Sequence, residues 1–253
     1  MLIIVSPAKK LNFDDAAPVD HYTHPAYLNK SQQLINVLKK QPASNISKLM
    51  KLSDKLTTLN VARYQAFTTP FTPQNAKQAI YTFRGDTYVG FSADTLGMKD
   101  IDYAQDHIRI LSGLYGMLAP LDLMQPYRLE MGTRLPCGDS KDLYQFWKQT
   151  LTNDINKLLK KEKQLINLAS KEYFSAIDFP AIKGTIITPV FKEKKGDVYK
   201  IIGIMAKRAR GMMSRYIIEN RIKDVEQLKG FSEDRYQFNK QASSEHELVF
   251  MRG

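Results

Sequence analysis

Four consecutive aliphatic residues, Leu2-Ile3-Ile4-Val5, begin the chain and stop at Ser6-Pro7. A short unbroken apolar run closed by a turn signal reads as a strand buried in a core. No basic segment precedes it and no small-residue cleavage site follows it, so it is not read as a secretory signal. Leu165-Ile166-Asn167-Leu168-Ala169 is a second run of the same kind. Such strands need apolar volume around them, and 253 residues at 43% hydrophobic and 10% aromatic supply it. That composition supports one domain over 1–253, or two closely packed lobes. No apolar run approaches the roughly 20 residues that span a bilayer. With Cys137 as the sole cysteine, no intramolecular disulfide is available. The expected location is cytoplasmic, with no membrane partner.

Helical spacing occupies much of the rest. Leu34, Ile35 and Leu38 place a helix over 31–39, with Ser31 as its expected N-cap. Residues 46–52 and 55–67 predict two short helices around Ser53-Asp54, with Leu49, Leu52, Leu56 and Leu59 facing inward. Pro73 predicts the start of another over 74–79. Ile80-Tyr81-Thr82-Phe83 then reads as a strand entering the turn Arg84-Gly85-Asp86. Residues 103–111 read as a helix closing at Ser112-Gly113, and 127–131 alternate like a strand. Residues 143–159 predict a long amphipathic helix. Two strands, 186–192 and 198–205, flank the hairpin signal Glu193-Lys194-Lys195-Gly196-Asp197. A helix over 208–221 follows. Strands and helices interleave without regular alternation, which predicts a mixed α/β (α+β) fold on a central, partly antiparallel sheet flanked by helices.

Net charge is +11, from 37 Lys and Arg against 26 Asp and Glu, a surplus that favours polyanions. It is uneven. Within 200–221 the bases Lys200, Lys207, Arg208, Arg210, Arg215 and Arg221 meet only Glu219. A helix starting near Arg208 would add its unpaired amides and positive dipole end to this cluster, and arginine can bond two phosphate oxygens at once. Ser6-Pro7-Ala8-Lys9-Lys10 lies where the first strand ends, a common place for ligands. Arg84-Gly85-Asp86, Ser112-Gly113-Leu114-Tyr115-Gly116 and Tyr127-Arg128-Leu129-Glu130 are further polar turns. If they converge, Asp86 or Glu130 serves as acid or base, and Tyr115 or Tyr127 stacks a base. Alternatively Arg128 and Glu130 form a structural ion pair. Gly113-Leu114-Tyr115-Gly116 also matches the four-residue loop of KH domains. No Walker loop, nucleophile elbow or dinucleotide fingerprint occurs. Four histidines and one cysteine do not make a usual zinc site, so no metal and no cofactor are expected.

Several of these stretches together resemble the YaaA family. They are Met1 to Lys9, Arg109 to Gly132, Ile166-Asn167-Leu168-Ala169-Ser170 and Ala209-Arg210-Gly211-Met212-Met213-Ser214-Arg215, with the likeness running to Glu247-Leu248-Val249-Phe250. The resemblance implies a bacterial peroxide-stress protein that limits the damage done by unincorporated iron. It also implies DNA binding through a positively charged cleft and a helix-hairpin-helix element in an unusual α/β fold. That element would fall on 46–67, with Ser53 and Asp54 in place of its usual glycines. The resemblance transfers no catalytic residues.

Two functions follow as expectations. The first is a non-enzymatic protein that binds duplex DNA, including distorted or damaged forms, without reading sequence. Ser6, Lys9, Lys10, Arg84, Arg128, Lys207, Arg208, Arg210 and Arg215 would contact the nucleic acid, and a monomer is favoured. The alternative is an enzyme acting on a nucleotide or nucleobase, with Asp86, Glu130, Tyr115, Tyr127 and Ser112 as its catalytic candidates.

Overall fold

The computed structural model describes all 253 residues. The chain begins with β1 (Leu2–Val5), β2 (Lys10–Leu11), α1 (Leu28–Lys39), α2 (Ala43–Met50) and α3 (Asp54–Ala66). Next come β3 (Lys77–Gln78), α4 (Ala79–Thr82), β4 (Phe83–Arg84), α5 (Asp86–Phe91) and α6 (Met98–His107). The middle holds β5 (Ile108–Ser112), β6 (Gly116–Leu118), β7 (Leu123–Met124), α7 (Leu143–Glu162), β8 (Gln164–Leu168) and α8 (Lys171–Phe174). The last part is β9 (Thr185–Lys195), β10 (Val198–Lys200), α9 (Gly203–Glu219), α10 (Val225–Leu228), β11 (Gln237–Phe238) and β12 (Glu247–Arg252).

The fold is mixed α/β, on an eight-stranded sheet ordered β11-β12-β9-β8-β1-β5-β6, with β10 paired to β9. The five strands in the middle are parallel: β12 to β9, β9 to β8, β8 to β1 and β1 to β5. Within this sheet antiparallel pairing is confined to β6, β10 and β11, while β2 with β4 and β3 with β7 form separate two-stranded antiparallel pairs. Counted in chain order, the parallel strands lie 2-1-3-4-5. From β1 the chain first crosses to β5 on one side, then returns to β8 on the other. This is a doubly wound order with its topological switch between β1 and β8. Both of those strands are buried almost throughout, as their unbroken apolar runs require.

Several local expectations give way to pairing in three dimensions. Residues 108–112 are not the end of a helix. Ile108 and Ile110 register against Ile3 and Val5, so the chain leaves α6 at His107 and enters the sheet. Residues 80–82 are a helical turn rather than a strand, and the helix expected over 74–79 is instead the end of a turn at 72–75 followed by strand β3 at Lys77–Gln78. The segment 127–131 is extended and alternates in burial, but has no ladder partner. Ser31 is no N-cap: α1 starts a turn earlier, and the buried Ser31 hydroxyl donates back to the Tyr27 carbonyl at 3.1 Å. In α3 the buried face is Thr57, Asn60 and Tyr64, while Leu59 is 43% exposed. The hairpin at 193–197 forms, but its second strand is only three residues long. α9 therefore starts at Gly203, and Arg208 lies in its second turn, away from the amide-rich end.

Helices α5 and α9 cross backbone against backbone. A Cβ on Gly211 would overlap the carbonyl oxygen of Thr87, and one on Gly90 would overlap that of Arg208. Only hydrogen fits at either position. Gly211→Ala is expected to cost about 2–3 kcal/mol through overpacking, lowering Tm by about 5–10 °C. Thermal unfolding followed by circular dichroism checks this, and an unchanged Tm would show the crossing to be slack.

Candidate functional site

A cavity of about 420 Å³ lies at the switch point, where the chain leaves β1 at Ser6 and passes Ser170 just beyond β8. The two ends are stapled together. The Ser170 amide donates to Ser6 Oγ at 2.8 Å, the two hydroxyls are 3.2 Å apart, and Tyr88 OH donates to the Ser6 carbonyl at 3.0 Å. Its walls come from five places: 6–10 after β1, 84–88 at the start of α5, the extended segment 127–130, Leu168 to Tyr173 from the end of β8 into α8, and Lys207 with Arg210 on α9.

The extended wall is held from behind. Gly113, in the turn between β5 and β6, packs so tightly on it that a Cβ would overlap the Leu129 carbonyl. Trp147 Nε1 donates to the Gly113 carbonyl at 2.9 Å, and Tyr64 OH donates to the Arg128 carbonyl. The KH-like tetrad is thus a buried support, with Tyr115 fully enclosed and bonded to Gln125. Ser112 is also fully buried, and its Oγ is 2.7 Å from Tyr127 OH. Neither Ser112 nor Tyr115 lines the cavity; Ser112 orients the tyrosine that does. Burial pushes the Tyr88, Tyr127 and Tyr173 hydroxyls well above their ordinary range, so all three stay protonated donors.

The charged lining is six bases, Lys9, Lys10, Arg84, Arg128, Lys207 and Arg210, against Asp86, Glu130 and Glu172. Some are already engaged. Glu130 accepts from Lys9 at 2.8 Å and from Arg128 at 3.1 Å, so the structural ion pair exists. Arg84 pairs with Asp94 at 3.2 Å. Glu172 accepts from the Gly132 amide at 3.1 Å. Arg210 differs. Its guanidinium has no ion pair or hydrogen bond, and burial alone lowers its pKa. Arg128 adds a buried Nε with no acceptor. Lys10 and Lys207 are exposed and unpaired at the rim. A partly dehydrated guanidinium facing an open cavity is a standing demand for an anion.

Of the residues singled out from sequence, Ser6, Lys9, Lys10, Arg84, Asp86, Tyr127, Arg128, Glu130, Lys207 and Arg210 meet here. Arg208 is exposed outside the cavity. Arg215 is committed to structure, donating to the Phe91 and Ser92 carbonyls and to Thr95, and pairing with Glu219 at 2.8 Å. Sequence reading missed Tyr88, Ser170, Glu172 and Tyr173. Ser170 had a usable signal, since it closes the second buried apolar run as Ser6 closes the first. The others had none, because α5 and α8 reach the cavity only through packing.

The fold and cavity define a class: an α/β protein with a basic, tyrosine-walled pocket at the switch point of a parallel sheet. A family model described as "Peroxide stress protein YaaA" matches residues 1–242. A UPF0246 protein of Alteromonas mediterranea is 53% identical, covering 100% of this chain and 98% of the relative. One from Flavobacterium johnsoniae is 50% identical over 100% of both chains, and one from Azoarcus sp. is 50% identical over 100% of this chain and 99% of its own. The chain belongs to the peroxide stress protein YaaA family.

Glu130→Gln removes the charge that Lys9 and Arg128 share in a partly buried wall. The expected loss is about 1–2 kcal/mol, read as a lower midpoint in urea unfolding with an unchanged slope.

Proposed function

We propose that this protein acts in the peroxide stress response by binding DNA through the basic pocket and its rim, without reading sequence, and so limits iron-dependent oxidative damage to the DNA. The observation that carries the reading is Arg210, a partly buried guanidinium with no partner, lining a cavity rimmed by the unpaired Lys10 and Lys207. A phosphate diester satisfies that demand, because it offers two oxygens to a planar donor fork. Contacts to phosphate position a protein on DNA without specifying bases.

The helical hairpin of α2 and α3 supplies a second basic surface. Lys48, Lys51 and Lys55 are exposed around its link. The link's own amides, however, are partly used internally: Leu52 N donates to the Ser47 carbonyl at 3.0 Å, and Ser47 Oγ donates back to the Leu52 carbonyl. The lysines, rather than a row of open amides, are the contribution we assign to this element. Tyr64, from the same hairpin, bonds the Arg128 backbone and so ties it to the pocket wall.

Each neutralised phosphate releases counterion, so affinity falls linearly on a log–log salt plot. Arg210→Ala and Lys207→Ala are each expected to reduce the slope by about one, with no dependence on the sequence of the labelled duplex. Fluorescence anisotropy across a salt series measures this. A slope unchanged in both variants, or no binding at low salt, would sink the reading.

A further inference from the structure

The cavity is far too small for a duplex, and its size suits one small ligand. Its interior is also unlike a simple phosphate groove. Behind the basic rim lie Tyr127 and Tyr173, Leu129 and Leu168, and the carboxylates of Glu130 and Glu172. Aromatic and apolar walls with a few acceptors and donors suit the face and edge of a nucleobase, while Arg210 and Lys207 suit the phosphate attached to it. A free nucleotide and a nucleotide extruded from DNA share this chemistry. A second feature chooses between them.

The hairpin β9–β10 and the first turn of α9 expose Val198, Tyr199, Ile201, Ile204 and Met205, with relative exposures of 39–65%. This is the largest concentration of exposed apolar side chains in the molecule, and it lies amid Lys194, Lys195, Lys200, Lys207 and Arg208. Ile204 stands one helical turn before Lys207, on the same face of α9 and beside the pocket rim. Apolar groups ringed by exposed lysines fit the gap in a base stack, with the lysines placed for the flanking phosphates. A free nucleotide gives them nothing to do.

Resting on the DNA-binding reading above, we propose that the pocket receives one nucleotide extruded from the DNA, while Ile204 and Met205 fill the place it leaves. The test uses the full-length protein with two probes: deoxyadenosine monophosphate, and a matched duplex carrying one 2-aminopurine. The monophosphate is expected to bind by calorimetry, and Arg210→Ala to weaken it about 10–100-fold, the scale of a lost charge-assisted hydrogen bond. Lys207→Ala, exposed and safe for folding, should weaken it less but in the same direction. The 2-aminopurine should brighten severalfold on binding as it leaves the stack. Ile204→Ser with Met205→Ser should abolish that rise and leave the affinity for the monophosphate within twofold.

Duplex binding without brightening, or brightening unaffected by the Ile204 and Met205 changes, overturns extrusion and leaves DNA binding standing. Monophosphate binding through Arg210 with no duplex binding at any salt overturns both the extrusion and the DNA reading, and marks a free-nucleotide site. Binding of neither probe overturns both together with the pocket's ligand class.

Discussion

The backbone crossing of α5 and α9 at Gly90 and Gly211 is the constraint on which the site depends. It joins residues more than a hundred positions apart. Because no side chain intervenes, the start of α5, with Arg84 to Tyr88, is held against the turn of α9 that carries Lys207 and Arg210. A crossing padded by alanine or larger residues would move one wall of the cavity relative to the other by the width of a methyl group or more. Close packing transmits such a shift, since interiors have little slack to absorb it.

A second constraint fixes the floor. The winding order places β1 and β8 side by side, and the chain goes on from β1 to β5 on one side of that seam and from β8 to β9 on the other. Doubly wound sheets bind ligands at this point for a geometric reason: the connecting segments diverge and leave a crevice. Here the crevice floor is held by Ser6, Ser170 and the Tyr88 hydroxyl. Its third wall is an extended segment with no strand partner, whose position depends on Gly113, Trp147 and Tyr64. Tyr64 bonds the Arg128 carbonyl, Gly113 packs against the Leu129 carbonyl, and Trp147 holds Gly113 in place, so the wall is fixed through its backbone.

Electrostatics divide the basic residues into two groups. Arg215, Arg221 and Arg252 are tied to carbonyls and carboxylates and serve the fold. Lys10, Lys207 and Arg210 have no such commitments. Net charge cannot make this division, since every one of them counts as +1. What separates them is whether folding supplies an acceptor. Arg215 and Arg210 are five residues apart on one helix, and the crossing with α5 brings the Phe91 and Ser92 carbonyls to the first and an open cavity to the second.

The two buried strands, the long α7, the hairpin at 193–197, the basic concentration around α9 and the family were all legible in the residues alone. These signals are local, carried by contiguous apolar runs, 3.6-residue periodicity and turn residues. The sequence also placed a polar, ligand-suited end at Ser6-Pro7-Ala8-Lys9-Lys10. The tertiary structure alone decided which way residues 108–112 fold, because β1 offers a parallel partner that local helical propensity does not register. It decided that Ser112, Tyr115 and Arg215 support the pocket from outside while Tyr88, Tyr173 and Glu172 line it. It also decided the strand order that opens the crevice between β1 and β8. Pairing across long separations and close passage of backbones depend on what the rest of the chain brings near, and no window of neighbouring residues contains that information.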